Sequence, residues 1–391
     1  EGYSYKAGRF ESEPFELITG AAPAGSISAS ATDMATFMIA HLNLGGVGEQ
    51  RILSEATAVQ MQTRGFEHDP RLPGWALGFY EKSSHGMRII GHGGDTRWFH
   101  SDLVLIPDEQ LGVFISYNTD KGGGLSGPFV TAFLDHYYAA APAVVTLPDD
   151  AVERAAHVAG AYQANRMSYT TWQKAAGLMG ALEVSAAEDG SLLLSASDDP
   201  VRLVPVGPLL YREELGHSLL AFEEDENGAV THAFLGEAPM MALVRLPWYQ
   251  SPTLHKFLLG AALLVFAATI IAAVRRFVRR RFGQPWLEDP LRGRAFIIGI
   301  ALLNIAFVVA IVALSADFWA LVSGPATGLK LALLLPILAG LLTIGALIMA
   351  FRNWRDRTGT RGARLRYNTV VVAAIVFMWS LNMWNLLGWR M

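Results

Sequence analysis

Four apolar runs of bilayer length set the tightest limit on this 391-residue chain: residues 254–274, 295–314, 329–351 and 369–388. A helix of about 20 apolar residues covers the ~30 Å hydrocarbon core of a membrane. Helices buried in a soluble bundle would keep a charged outer face, and these runs have none. They predict a four-helix transmembrane region over residues 254–391. Arg275, Arg276, Arg279, Arg280, Arg281, Arg292 and Arg294 lie between the first two runs. Arg352, Arg355, Arg357, Arg361, Arg364 and Arg366 lie between the last two, whereas the middle loop has only Lys330, beside the third run. Basic loops stay in the cytoplasm, so both arginine loops are expected inside and residues 1–253 extracytoplasmic. Trp319, Trp354 and Trp389 fall near run ends, as interfacial anchors do. Asn304, Asn382 and Asn385 fall within runs and are expected to hydrogen-bond between helices. No ionised side chain falls mid-span, which disfavours a transporter.

The charges divide along the same line. Residues 1–254 hold 15 Lys and Arg against 31 Asp and Glu, and residues 255–391 hold 16 against 4. Two environments are implied rather than one globule. The basic residues sit between apolar runs, so the lipid bilayer is the expected partner and nucleic acid is not. There is no cysteine, which excludes disulfides, thiolate metal sites and cysteine nucleophiles. The first residue is Glu1 and no basic-then-apolar leader precedes it. A fragment or processed product is expected on that ground.

The outer region reads as α+β. Ser30 and Asp33 form a capping box before Met34, Phe37, Met38, His41 and Leu42, which repeat at helical spacing. A second short helix is expected after Ser54. Strands are expected at 74–82, 87–91, 101–106 and 112–117 as an antiparallel meander, with a helix over 126–138 packing on it. An Ala/Pro linker at 139–149 closes this part, residues 1–140. Residues 150–247 then read as a small antiparallel β-domain, with hairpin turns at Asp189-Gly190 and Asn227-Gly228.

One segment, Ile89 to Ser101, is chemically loaded. A strand runs into His92, Gly93, Gly94 and Asp95, then a polar and aromatic loop with Arg97 and Trp98, then another strand. Paired glycines in a strand mark a bulge or a place where another backbone approaches closely. Such an edge can pair with a substrate amide and offer an N–H to a developing oxyanion. His92 beside it can hold a proton, and Arg97 and Trp98 can grip a carboxylate or acyl group. The plainer alternative is a glycine bulge with a hydrogen-bonded histidine. A metal site of His92, Asp95 and His100 lacks the spacing of helical zinc motifs. Neither the glycines at 91–94 nor those at 122–124 carry the lysine and hydroxyl of a phosphate loop. No metal and no cofactor are expected.

In order and spacing, several pieces resemble the β-lactamase-related serine hydrolases, the family of class C β-lactamases, DD-peptidases (penicillin-binding protein-like) and esterases. They are Pro23 to Ser28 before the capped helix, Gly74 to Gly78, Gly91 to Gly94, Pro107 to Gly112, and Tyr117-Asn118. The resemblance covers residues 1 to about 140 and implies part of a β-lactamase/transpeptidase-like domain, an antiparallel sheet with helices. Residues 150–247 are similar to the lipocalin-like domain appended to such hydrolases, and C-terminal transmembrane helices also occur in some members. The family works through a serine in Ser-x-x-Lys, a Tyr-x-Asn motif and a Lys-Thr-Gly or His-Gly-Gly strand. His92-Gly93-Gly94 matches the third, and the resemblance implies that the Asp95 N–H supplies half of an oxyanion hole. Ser-x-x-Lys and a suitable Tyr-x-Asn are absent. In the family these two motifs precede the matching stretch, so truncation is expected and the chain as given should be inactive. The implied function is a membrane-anchored extracytoplasmic serine hydrolase, acting on a small-molecule or peptide acyl substrate: a cell-wall peptide, a β-lactam or a small ester. The alternative is a non-catalytic binding or sensory membrane protein on the same scaffold.

Overall fold

Ser30 caps its helix as the capping box predicts. Its Oγ accepts the Asp33 N–H at 3.1 Å, and Asp33 Oδ2 accepts the Ser30 N–H at 3.0 Å. The reciprocal pair satisfies donors that a first helical turn leaves open. The computed structural model describes every residue except 17, 19–21, 139–146, 196–199, 284–290, 317–326 and 391. Two units cluster separately: Glu1–Arg166 with Leu182–Arg245, and Met167–Ala181 with Leu246–Met391.

In the first unit, two hairpins, β1 (Gly2–Lys6) with β2 (Arg9–Glu13) and β3 (Gly46–Val47) with β4 (Gln50–Arg51), accompany helices α1 (Ala22–Gly25), α2 (Ala31–Leu42) and α3 (Glu55–Gln62). The expected meander is present. Strands β5 (Tyr80–Glu81), β6 (Ile90–Asp95), β7 (His100–Ile106) and β8 (Leu111–Tyr117) pair antiparallel in sequence order. Strand β7 is buried on both faces, and its alternate residues sort to two cores as the period of two requires. Leu103 and Leu105 join Met38 of α2 with Phe79 and Ile90. Val104 and Ile106 join Leu134 of α4 (Ser126–Tyr137) and Ile89.

Two expected strands are corrected. The strand at 74–82 shrinks to β5 because Gly78, at φ +79°, turns the chain; in the preceding loop Trp75 makes isolated β-bridges with Phe66 and Tyr80. The strand at 87–91 starts at Ile90 instead, and it runs on to Asp95.

Helix α5 (Ala151–Val158) leads into eight strands, β9 (Gly160–Ala164), β10 (Leu182–Ala186), β11 (Leu192–Ser195), β12 (Val201–Gly207), β13 (Leu210–Glu213), β14 (Leu219–Glu224), β15 (Val230–Leu235) and β16 (Ala242–Arg245). They close on themselves, β16 pairing with β9, so the expected small β-domain is a closed antiparallel barrel. Gly190 and Gly228 take positive φ in the two predicted hairpin turns. Tyr162, Leu192, Leu203, Tyr211, Leu220 and Phe222 pack together in its core, consistent with an eight-stranded interior just wide enough for side chains.

The second unit holds α6 (Pro252–Arg281), α7 (Arg294–Ser315), α8 (Thr327–Arg355) and α9 (Arg361–Met383), each long and apolar enough to cross a membrane. Phe257, Leu264, Phe277, Val312 and Leu341 stay exposed on these helices, a surface suited to lipid rather than water. The last helix begins and ends earlier than its apolar run, 369–388. Asn385 therefore lies beyond it, at φ +58°, and its Nδ2 donates to the Tyr169 and Thr171 carbonyls at 2.9 and 3.0 Å. Trp172 also joins this unit, donating its N–H to the Arg390 carbonyl at 2.6 Å. Asn304 is fully buried, but among the described residues its amide has no hydrogen-bond partner, so it does not bridge helices as expected. Asn382 Oδ1 accepts from Arg390 Nη2 at 2.8 Å. Trp354 lies under the Arg364 guanidinium, and Trp389 Nε1 donates to the Lys330 carbonyl at 3.0 Å. Trp319 lies outside the described residues.

Candidate active-site edge

The glycines of β6 are not a bulge, because the ladder from Ile90↔Leu105 to Asp95↔His100 keeps a continuous register. Strand β5 covers β6 only at Ile90 and Gly91, so among the described residues His92 to Asp95 have no strand on that side. The Gly93 N–H points to this open edge, where it donates to Tyr80 Oη at 2.6 Å. Backbone directions alternate along an antiparallel strand, so the Asp95 N–H points to the same edge. This N–H is the one the family resemblance marks as half of an oxyanion hole.

Each glycine has its own reason. A Cβ on Gly91 would come within 2.3 Å of the Leu103 carbonyl oxygen. One on Gly93 would sit 3.1 Å from Tyr80 Oη and 3.3 Å from Asp102 Oδ1. At Gly94 no described residue lies within 4 Å of such a Cβ, so that face is open among the described residues. His92 shares this open face by the period of two and is exposed.

His92 Nδ1 lies 2.8 Å from the Gly78 carbonyl. A carbonyl only accepts, so Nδ1 carries the proton, and in the neutral ring Nε2 keeps a free lone pair. The imidazole rests beside Tyr80 (centroids 5.4 Å apart) and Trp75 (6.3 Å). The loop carrying Trp75 and Gly78 is tied down by Glu81. Its buried carboxylate accepts the Gly74 N–H at 2.9 Å, Arg64 Nε at 2.7 Å and Arg88 Nε at 3.0 Å. Burial pushes the Glu81 carboxyl up, but these hydrogen bonds and the Arg64 charge outweigh it and hold it below the usual value.

The two residues expected to grip substrate are placed differently from each other. Trp98 is buried, its Cβ close against the backbone of Gly2. Arg97 is exposed and lies over the Trp98 ring, 4.7 Å from its centroid, while its N–H donates to Glu16 at 3.1 Å. Asp95 Oδ1 accepts from His100 Nδ1 at 2.6 Å, and the ring of His100 turns away toward Gly122 and Gly123. His92, Asp95 and His100 therefore do not converge on one point that could hold a metal ion.

Three neighbours carried no signal in the sequence: Tyr80, Lys82 and Asp102. Lys82 Nζ sits 2.6 Å from both oxygens of buried Asp102 and 5.1 Å from the Tyr80 ring centroid. The pairing of Gly93 with Asp102 brings this ion pair under the glycine edge. Ser116 and Asn118 are tied up elsewhere: Ser116 Oγ bonds Ser101 Oγ, and Asn118 Nδ2 donates to the Glu1 carbonyl.

Residues 1–128 match the β-lactamase family model. This stretch is therefore similar to the β-lactamase family. No curated protein matches the sequence. Two solved structures are similar at low identity: SurE, at 20% with a TM-score of 0.38, and SurE with D-Leu, at 21% with 0.34. The alignments cover 63% and 56% of this chain but only 55% and 50% of theirs, so it spans about half the length of these proteins.

Proposed function

We propose that residues 1–128 supply the oxyanion and substrate-strand side of a serine acyl-transfer site in a membrane-anchored, extracytoplasmic hydrolase. The observation that carries this reading is the open β6 edge, with the Gly93 and Asp95 N–H groups directed out of the sheet beside His92. A substrate amide or ester laid along the edge meets Asp95 N–H at its carbonyl oxygen. The charge that develops there in acyl transfer is what such a donor stabilises. His92 Nε2, its other nitrogen engaged by Gly78, accepts a proton or orients the leaving group. Arg97, stacked on Trp98, reaches for a substrate carboxylate. Substrates of this chemistry include cell-wall peptides, β-lactams and small esters. No cofactor is needed for the reaction.

The nucleophile is a separate matter, since Ser-x-x-Lys and Tyr-x-Asn are not among these 391 residues. The activity belongs to a protein that carries them together with this edge. Labelling of the intact protein, as encoded in its gene, by a serine-directed acylating probe tests the reading. Covalent, stoichiometric labelling is expected, and none by the 391 residues alone. An intact protein that stays unlabelled favours the second reading, a binding or sensory protein. That reading draws on the same edge, which can take an extended peptide as an added strand without any nucleophile.

A further inference from the structure

Away from the β6 edge, two histidines and a carboxylate meet at one point: His85, Asp135 and His217. They are far apart in sequence and come from three elements. His85 opens the two-residue turn between Ser84 and Met87, at φ +54°, with Gly86 following at +72°. Such mirror-image turns favour Asn-Gly, and a histidine there is a departure. Asp135 lies in the last turn of α4, and His217 lies between β13 and β14. His85 Nε2 is 2.8 Å from Asp135 Oδ1, and His217 Nε2 is 3.9 Å from the same oxygen. All three ligand atoms lie within 4.8 Å of one another. Ligands on a tetrahedral zinc ion, with bonds of about 2.1 Å, stand roughly 3.3 Å apart. The observed separations bracket that edge, so small side-chain rotations complete the geometry.

The surroundings are also those of a metal site. The His85 side chain is fully buried, while Asp135 and His217 are 59% and 39% exposed, so the point is closed behind and open in front. Ser84 Oγ lies 2.8 Å from His85 Nδ1 and fixes the ring from behind, as outer-shell partners of metal-bound histidines do. The two imidazoles lie 4.0 Å apart between ring centroids. Two rings and one carboxylate leave a fourth position for water.

We propose that His85, Asp135 and His217 bind one divalent first-row transition ion, with zinc the best fit to two imidazoles and a carboxylate. The ion joins the β5–β6 turn and α4 to the barrel hairpin that carries His217. The test uses the untagged full chain in detergent, stripped with a chelator and titrated with Co²⁺ and then Zn²⁺. One Co²⁺ per chain, a visible d–d band and its loss on adding Zn²⁺ are expected, with zinc raising Tm. The band should disappear in H85A, and equally in H217N and D135N, which alter exposed side chains and decide the matter if H85A does not fold. A chain that binds no Co²⁺, or a band that persists in H217N and D135N, overturns the proposal.

Discussion

The position of one proton decides what His92 can do. With Nδ1 engaged by the Gly78 carbonyl, only Nε2 is available to chemistry, and it lies on the open face with Gly94. His92-Gly93-Gly94 was readable from the sequence because it is contiguous. Tyr80, Lys82 and Asp102 were not, because strand pairing alone brings them to the edge. His41 shows the opposite use of an imidazole. It is buried between Phe37 and Phe79, its Nδ1 has no partner among the described residues, and burial lowers its pKa. A proton is then bound more readily by the unfolded chain, so stability drops as pH falls below the unfolded value of about 6.5. Replacing His41 by Phe should therefore reduce the fall in Tm between pH 7.5 and pH 5.5. An equal fall in both proteins would contradict this role.

Elements were legible where their signals are local and illegible where tertiary pairing overrides them. The Ser30 box, the Ser54 cap and the two Gly hairpin turns each formed as predicted. The stretch 74–79, which alternates like a strand, became a loop because Gly78 turns it and Glu81 holds it. Barrel closure was also hidden, since the β16–β9 pairing joins distant segments. The Glu81 cluster explains why this loop stays under His92. E81Q should cost roughly 2 kcal/mol, below the 3–5 kcal/mol of a fully buried pair, because Arg64 and Arg88 are partly exposed. Denaturant titration reads the loss, and Trp75 fluorescence should report a loosened loop. A change within 0.5 kcal/mol would remove Glu81 as the anchor.

The whole chain combines a stretch similar to the β-lactamase family, a filled barrel and four apolar helices. The helices were the easiest feature to read, since apolar length is a property of composition. The positive-inside rule applied to the arginine loops predicts residues 1–253 on the outer side, and the lack of cysteine among these 391 residues makes that prediction testable without background. N227C, in an exposed barrel turn, should react with an impermeant maleimide on intact cells. G362C, exposed at the start of α9, should react only after permeabilisation; the reverse pattern would invert the topology. The edge itself is tested at Asp95. Proline there removes the outward N–H, which a free strand edge tolerates, whereas D95A keeps it. If the protein as encoded in its gene is acylated by a serine-directed probe, the acylation rate of its D95P variant should fall about 10²–10³-fold below that of D95A, as when one oxyanion donor is lost. Equal rates in the two variants would show that this edge does not hold the oxyanion.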